Sequence, residues 1–191
     1  EELGRARPEL KGDHARLICD SFANIYHIAE HNGFLGADGI IFDLGFSSYH
    51  IERSGRGFSF LRNEPLDMRY DPRTNDLTAE VIINTWTGPA IEDVFRRGGE
   101  ERFAKRIARA IVRHRVTHPF KTTEDVVWII RQCVPARMNR SRLHPATKVF
   151  QSLRMEVNKE LVHLEQGLDG AWRALGNKGK LIVISFHSLE D

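Results

Sequence analysis

The chain has 191 residues, 41% hydrophobic and 28% charged, with a net charge of +2. That is material for one domain or slightly more; no apolar run approaches the roughly 20 residues that cross a bilayer, and no signal-peptide pattern opens the chain. Cys19 and Cys133 have no metal or redox spacing and the nine histidines form no HExxH-type cluster, so the sequence predicts reduced thiols, a cytoplasmic setting and no metal centre.

The opening EELGRARPEL lacks an initiator Met and reads as the tail of a helix. Together with the stop at ISFHSLED, directly after a strand pattern, it gives the expectation of a piece cut from a longer protein. Arg16–Cys19 is a weak strand candidate with Asp20–Phe22 as its exit, and Asn24–Glu30 a short helix ending near Gly33. Gly39–Phe42 is a short apolar run bounded by Asp38 and Asp43, the pattern of a strand buried on both faces. Leu44-Gly45 then turns the chain, with Phe46, Ser47 and Ser48 following. In open α/β sheets ligands lie outside the carboxyl ends of the strands, so Asp43 would stand at the lip of a crevice; a carboxylate that merely ends the strand is the plain alternative.

Residues 51–76 are irregular and rich in Gly, Pro and charge, and long loops of this kind are often lids or binding loops. Phe58, Phe60, Leu61, Leu66 and Met68 within it call for burial. Helical patterns follow: Thr78 caps one through Trp86, and Pro89 opens another that Gly98-Gly99 ends. In Glu100–Arg115, Phe103, Ile107, Ala110 and Ile111 mark a buried face, while Arg102, Lys105, Arg106, Arg109 and Arg113 line much of the rest. Such a stripe is either a solvated face or a track for phosphates. Thr122 or Thr123 caps a helix through Cys133 that Pro135 stops, and Arg137, Arg140 and Arg142 form a basic loop. From His144-Pro145 one long helix is predicted, with Phe150, Leu153, Val157, Leu161, Leu164, Leu168, Trp172 and Leu175 on its core stripe. Gly176–Gly179 then turns the chain into the strand Lys180–Phe186, whose exit carries Ser185, His187 and Ser188. The predicted fold class is α/β, with a helical block interrupting the sheet unit directly after Asp43.

Six stretches carry a resemblance: DGIIFDLGFSS, RGFSF, PLDMR, GEERFAKRIARAIV, HPATKVFQSLRMEVNKEL and VISFHSLED, in this order from about Arg16 to the last residue. Together they resemble the RsmH/MraW type of small-subunit rRNA (cytosine-N4-)-methyltransferase. The resemblance implies a Rossmann-like methyltransferase sheet, incomplete here, with an inserted all-helical domain. Residues 1–70 and 144–191 would form the core and 71–143 the inserted recognition domain. It implies S-adenosylmethionine as cofactor, methyl transfer to the exocyclic N4 of a cytosine in the decoding region, and the rRNA or the assembled small ribosomal subunit as partner; a homodimer is left open.

By position, Phe22 and Asp43 match cofactor-contacting residues of that family. Its members usually follow the serine pair with Pro-Gln, the Gln touching cofactor, where this chain has Tyr49 and His50. The family's glycine-rich first loop and ribose-holding acid would lie upstream of Glu1. The Pro-Pro-aromatic sequence of other amino-methyltransferases is missing. Asp43 is the first catalytic candidate, with Ser185 and His187 behind it; for His187 a structural hydrogen bond is an equal reading. Candidate RNA contacts are Arg56, Phe58, Arg102, Arg106, Arg109 and Arg140, with the RGFSF aromatics either holding an unstacked base or serving as core. The competing class is a non-catalytic RNA-binding or ribosome-assembly module.

Overall fold

A computed structural model describes residues 15–45, 48–135, 144–186 and Leu189. Two compact units emerge, one comprising residues up to Leu44 together with Leu161–Phe186, the other essentially Gly45–Glu160.

In the first unit, Ser21 caps a single 3-10 turn, Phe22–Asn24, that runs into helix α1 (Ile25–Asn32). Gly33 ends α1 in the left-handed conformation (φ 75°), which glycine adopts without a Cβ penalty. Strand β1 (Ala37–Asp43) pairs in parallel with the last strand of the chain, β2 (Leu175–Ile184), Asp43 lying opposite Ile184. The register slips between Ala37 and Gly39, where β2 carries extra residues. Arg16–Cys19, read as a weak strand, joins no sheet: among the described residues the sheet has two strands.

The expectation that β1 is buried on both faces is corrected. Phe42 is buried and Ile40 partly so, both packed towards Leu164 and Ala171, but Ile41 on the opposite face is 66% exposed. Ile182 and Ile184 of β2 are exposed as well. Alternating side chains of a strand point to opposite faces, and among the described residues only one face of this pair is covered by a helix.

The second unit holds the larger core. The short helix α2 (Ser48–Glu52) leads into the irregular stretch, which is packed rather than loose: Phe58, Leu66 and Met68 are buried. Leu61 departs from expectation and is 82% exposed. Helix α3 (Ala79–Thr85) starts where the Thr78 hydroxyl accepts the Val81 N–H at 3.1 Å. Helix α4 (Gly88–Arg97) has Pro89 in its first turn and buries Ile91, Val94 and Phe95. The glycines behind it are close-approach residues: a Cβ on Gly99 would lie 2.4 Å from the Lys148 carbonyl oxygen. Helix α5 (Ala104–His114) is shorter than predicted, so Glu100 and Glu101 precede it instead of forming its first turn. Helix α6 (Thr123–Cys133) opens on a capping box in which Asp125 accepts the Thr122 N–H at 2.9 Å.

The predicted single long helix is two. Helix α7 (Thr147–Asn158) ends where Lys159 turns left-handed (φ 51°), and helix α8 (Glu160–Ala174) follows. The break resets the helical phase. The face of α8 that is buried therefore consists of Leu164, Gly167, Gly170, Ala171 and Ala174, while Trp172, assigned to the core stripe, is 76% exposed. The small residues admit α1 and the turn before it: a Cβ on Gly167 would meet the Phe22 ring at 2.7 Å. Strand β2 follows α8 without an intervening turn segment.

Candidate functional site

Two sets of predicted residues have clear places, one in each unit. In the first, the parallel pairing aligns the carboxyl ends of both strands. Leu44 N–H donates to the Ile184 carbonyl at 3.0 Å, so the exit of β1 at Asp43 and the exit of β2 at Ser185 lie on the same sheet edge. The Asp43 side chain is exposed and that of Ser185 half-buried. Beyond Asp43, Gly45 has φ 117°, a conformation that favours glycine, and the chain leaves the sheet there. Phe22, 38% exposed, rests on the buried Phe42 with ring centroids 5.4 Å apart. An exposed carboxylate at a strand's carboxyl end and a partly exposed aromatic ring in the same unit are groups that attract a cation and a flat heterocycle. His187 and Arg140, like Arg137 and Arg142, lie outside the described residues.

In the second unit, Arg56 and Phe58 are engaged by the loop itself. The Arg56 guanidinium donates to the carbonyls of Arg69 (2.7 Å) and Tyr70 (3.1 Å) and lies 5.9 Å from the Phe58 ring centroid. Phe58 is buried, stacked on Tyr70 at 5.6 Å with the rings 6° from parallel. The half-buried His50 tilts against both, at 5.2 Å and 5.0 Å. Phe58 of the RGFSF segment is part of the core of this unit, and the half-buried Phe60 packs against it. Asp67 fastens the neighbouring turn: burial pushes its carboxyl up, but the hydrogen bonds and charge of Arg69 outweigh this and hold it below the usual carboxylate value.

The basic stripe on and just before α5 stands as predicted. Ile107, Ala108 and Ile111 are buried, and Arg102, Lys105, Arg106, Arg109 and Arg113 are exposed. With Arg96, Gly88, Pro89, Phe103 and Val112 they line an open groove of about 880 Å³, and among the described residues no carboxylate enters it. Arg69, Arg73, Arg96, Arg97, Arg154 and Arg173 pair with carboxylates. Among the described residues none of the five cations of the stripe does, and Arg106 donates to the Gln132 carbonyl at 3.5 Å. Cations gathered on one face repel one another, and an anionic partner relieves that repulsion.

Sequence reasoning did not single out the aromatic group beside this stripe. Trp128 of α6 lies 5.1 Å from the His114 ring, and His114 stacks on His118 at 5.2 Å. The three residues are far apart in sequence or sit on different elements, so no local pattern joins them.

The chain belongs to the MraW methylase family, whose profile matches residues 2–191. It is 46% identical to the Ribosomal RNA small subunit methyltransferase H of Symbiobacterium thermophilum over 180 residues, covering 94% of this chain and 56% of that protein. The protein of the same name from Dehalococcoides mccartyi is 44% identical over 189 residues, covering 99% and 52%. That from Syntrophobacter fumaroxidans is 42% identical over 193 residues, covering 100% and 60%. The chain thus spans about half the length of the curated relatives it matches.

Proposed function

We propose that this chain provides the reacting edge and the RNA-facing surface of an enzyme that transfers a methyl group from S-adenosylmethionine to the exocyclic N4 of a cytosine in the decoding region of small-subunit rRNA. The observation that carries the reading is the carboxyl edge of the parallel strand pair, with the exposed Asp43 beside Ser185, in a chain of a methylase family. The relatives' shared name favours a catalyst over a non-catalytic assembly module. Under this reading residues 71–143 serve as a substrate-recognition domain inserted into a Rossmann-like core to which residues 1–70 and 144–191 contribute. The rRNA, free or within the small subunit, is the partner.

Phe22 and Asp43 would hold the cofactor, and His50 stands at the third family position. When bound, S-adenosylmethionine supplies an electrophilic methyl group. The chain's own residues do the positioning. The cytosine amine is conjugated with its ring and is a weak nucleophile. Asp43, accepting one N–H, would turn the nitrogen lone pair towards the methyl carbon and take up the proton that the product amine sheds. Ser185, on the same edge, would supply a hydroxyl to the base or the cofactor, with His187 as a further candidate beyond it. The five cations of the basic stripe, together with Arg140, would hold phosphates of the RNA.

Single-turnover methylation of small-subunit particles by the full-length protein tests the assignment. Asp43→Ala should slow methyl transfer by about 100-fold or more, with Asp43→Asn in between because it keeps an acceptor oxygen. A folded Asp43→Ala variant with near-normal turnover would overturn the role of Asp43 and leave Ser185 and His187 as candidates.

A further inference from the structure

The groove next to the basic stripe is built for a flat, apolar ligand carrying negative charge. Trp128 is 49% exposed although its neighbours on α6, Val127 and Ile129, are buried. Its indole and the His114 imidazole wall an open groove of about 440 Å³, with Ala110 and Ile129 as apolar lining and Arg106 and Arg113 as its cations. Among the described residues no carboxylate lines it. His114 is itself wedged between rings, stacked on His118 and edge-on to the fully buried Phe120 at 5.4 Å, so the wall is fixed. Arg106 and Arg113 line this groove and the larger basic groove alike, so the two adjoin.

Phosphate binding alone needs no aromatic surface, and an apolar protein contact gains nothing from guanidinium groups without a carboxylate partner at its edge. A nucleotide uses both, the base on the ring and the phosphates on the guanidinium groups. Paired bases in an RNA duplex do not offer their faces. We propose that Trp128 and His114 form a stacking platform for an unpaired nucleotide of the RNA, with Arg106 and Arg113 holding its flanking phosphates. The proposal rests on the reading of the partner as RNA, and the test separates the two.

Fluorescence anisotropy with the full-length protein would compare a labelled unstructured pyrimidine dodecamer with a labelled RNA duplex of the same length, over a range of salt. Trp128→Ala should weaken binding of the single strand by roughly 5- to 150-fold, the worth of one base–aromatic stack. Duplex affinity should stay within about twofold, and the salt slope should not change, since every cation that meets a phosphate is still in place. Trp128→Phe should recover most of the loss. If alanine perturbs folding, Phe against Leu at this position decides, because both keep apolar bulk and only Phe keeps a π face. Arg102, Arg106 and Arg109 replaced together by Glu should weaken both RNAs and flatten the salt slope by about one for each phosphate no longer neutralised. Unchanged single-strand binding by folded Trp128→Ala, or equal losses for strand and duplex, overturns the platform. If the arginine variant behaves as expected in that case, the RNA surface stands without it; if neither variant matters, the RNA reading of this face fails as well.

Discussion

One amide, that of Asn158, ties the irregular stretch at Met68–Tyr70 to the end of its own helix α7. Its Nδ2 donates to the carbonyls of Met68 and Arg154 at 2.7 and 2.8 Å, and its Oδ1 accepts the Tyr70 N–H at 2.8 Å. Asn158 is 8% exposed, and Met68 sits at φ 62°, a conformation that costs a residue with a side chain. The irregular stretch is therefore fixed by a long-range polar clamp as well as by burial of Leu66 and Met68. Asn158→Ala would take the amide donor from the carbonyl of the fully buried Met68, at roughly 1–3 kcal/mol for a buried group left without that partner. Asn158→Asp fares no better, since a carboxylate has no hydrogen for either carbonyl and repels both. Urea denaturation should show both variants destabilised with unchanged m-values, and a midpoint within error of the parent would contradict the clamp. Neither the clamp nor the role of Arg56 was readable from sequence, because the partners are backbone groups that carry no side-chain signature, and those of the clamp at Met68 and Tyr70 lie about 90 residues away. Asp43 was readable, because an acid at the end of an apolar run before Leu-Gly announces its own position.

At the scale of elements, what the sequence made legible was what local chemistry decides. The starts of α3, α4 and α6 were marked by Thr78, by Pro89 and by the Thr122-Thr123 pair, of which Thr122 is the cap. The break between α7 and α8 was hidden, since no Gly or Pro marks Lys159 and the apolar spacing runs on across it. The capping box gives a pH-dependent prediction. Burial pushes the Asp125 carboxyl up, but the N–H groups of Lys121 and Thr122, both at 2.9 Å, outweigh this and hold it below its usual 3.8. A carboxylate with a depressed folded-state value adds stability that is present above the usual value and is lost as the pH falls through the folded one. Asp71, drawn down to about 2 by the hydrogen bonds and charge of Arg73, acts with the same sign. Asp125→Ala should cost about 0.5–2 kcal/mol at neutral pH and less as the pH falls below the usual carboxylate range, where the parent progressively loses the same contribution. Thermal melts of both proteins from pH 7 to pH 2 should therefore converge, and parallel curves would refute the assignment.

For the molecule as a whole, the two units differ in how completely they bury apolar surface. The helical unit has a continuous core from Phe58 to Val157. The sheet unit has a small one around Phe42, Leu44, Leu164 and Ala171, and leaves Ile41, Ile182, Ile184 and Phe186 between 44% and 75% exposed. Three or more strands with a covered face are the usual minimum for an independently stable sheet, and open strand edges invite pairing with other chains. The 191-residue chain by itself should self-associate with rising concentration in sedimentation velocity, with Ile182→Lys reducing the effect. Calorimetric titration should find at most weak binding of S-adenosylmethionine to it. A monomer with ordinary micromolar affinity would contradict this account of the sheet.

The parallel pairing of β1 with β2 also sets a schedule for folding. The two strands are neighbours in space, yet everything from Leu44 to Ala174 lies between them in the chain. Closing so long a loop in an unstructured chain is entropically costly before any ladder bond forms in return, and such distant pairings are slow. The intervening helices are built mostly from near neighbours and need not wait. Once they have condensed, most of the separating chain no longer carries the freedom that strand closure would have to remove. The sheet edge that carries Asp43 is thus completed late, after the basic stripe on and before α5 already exists.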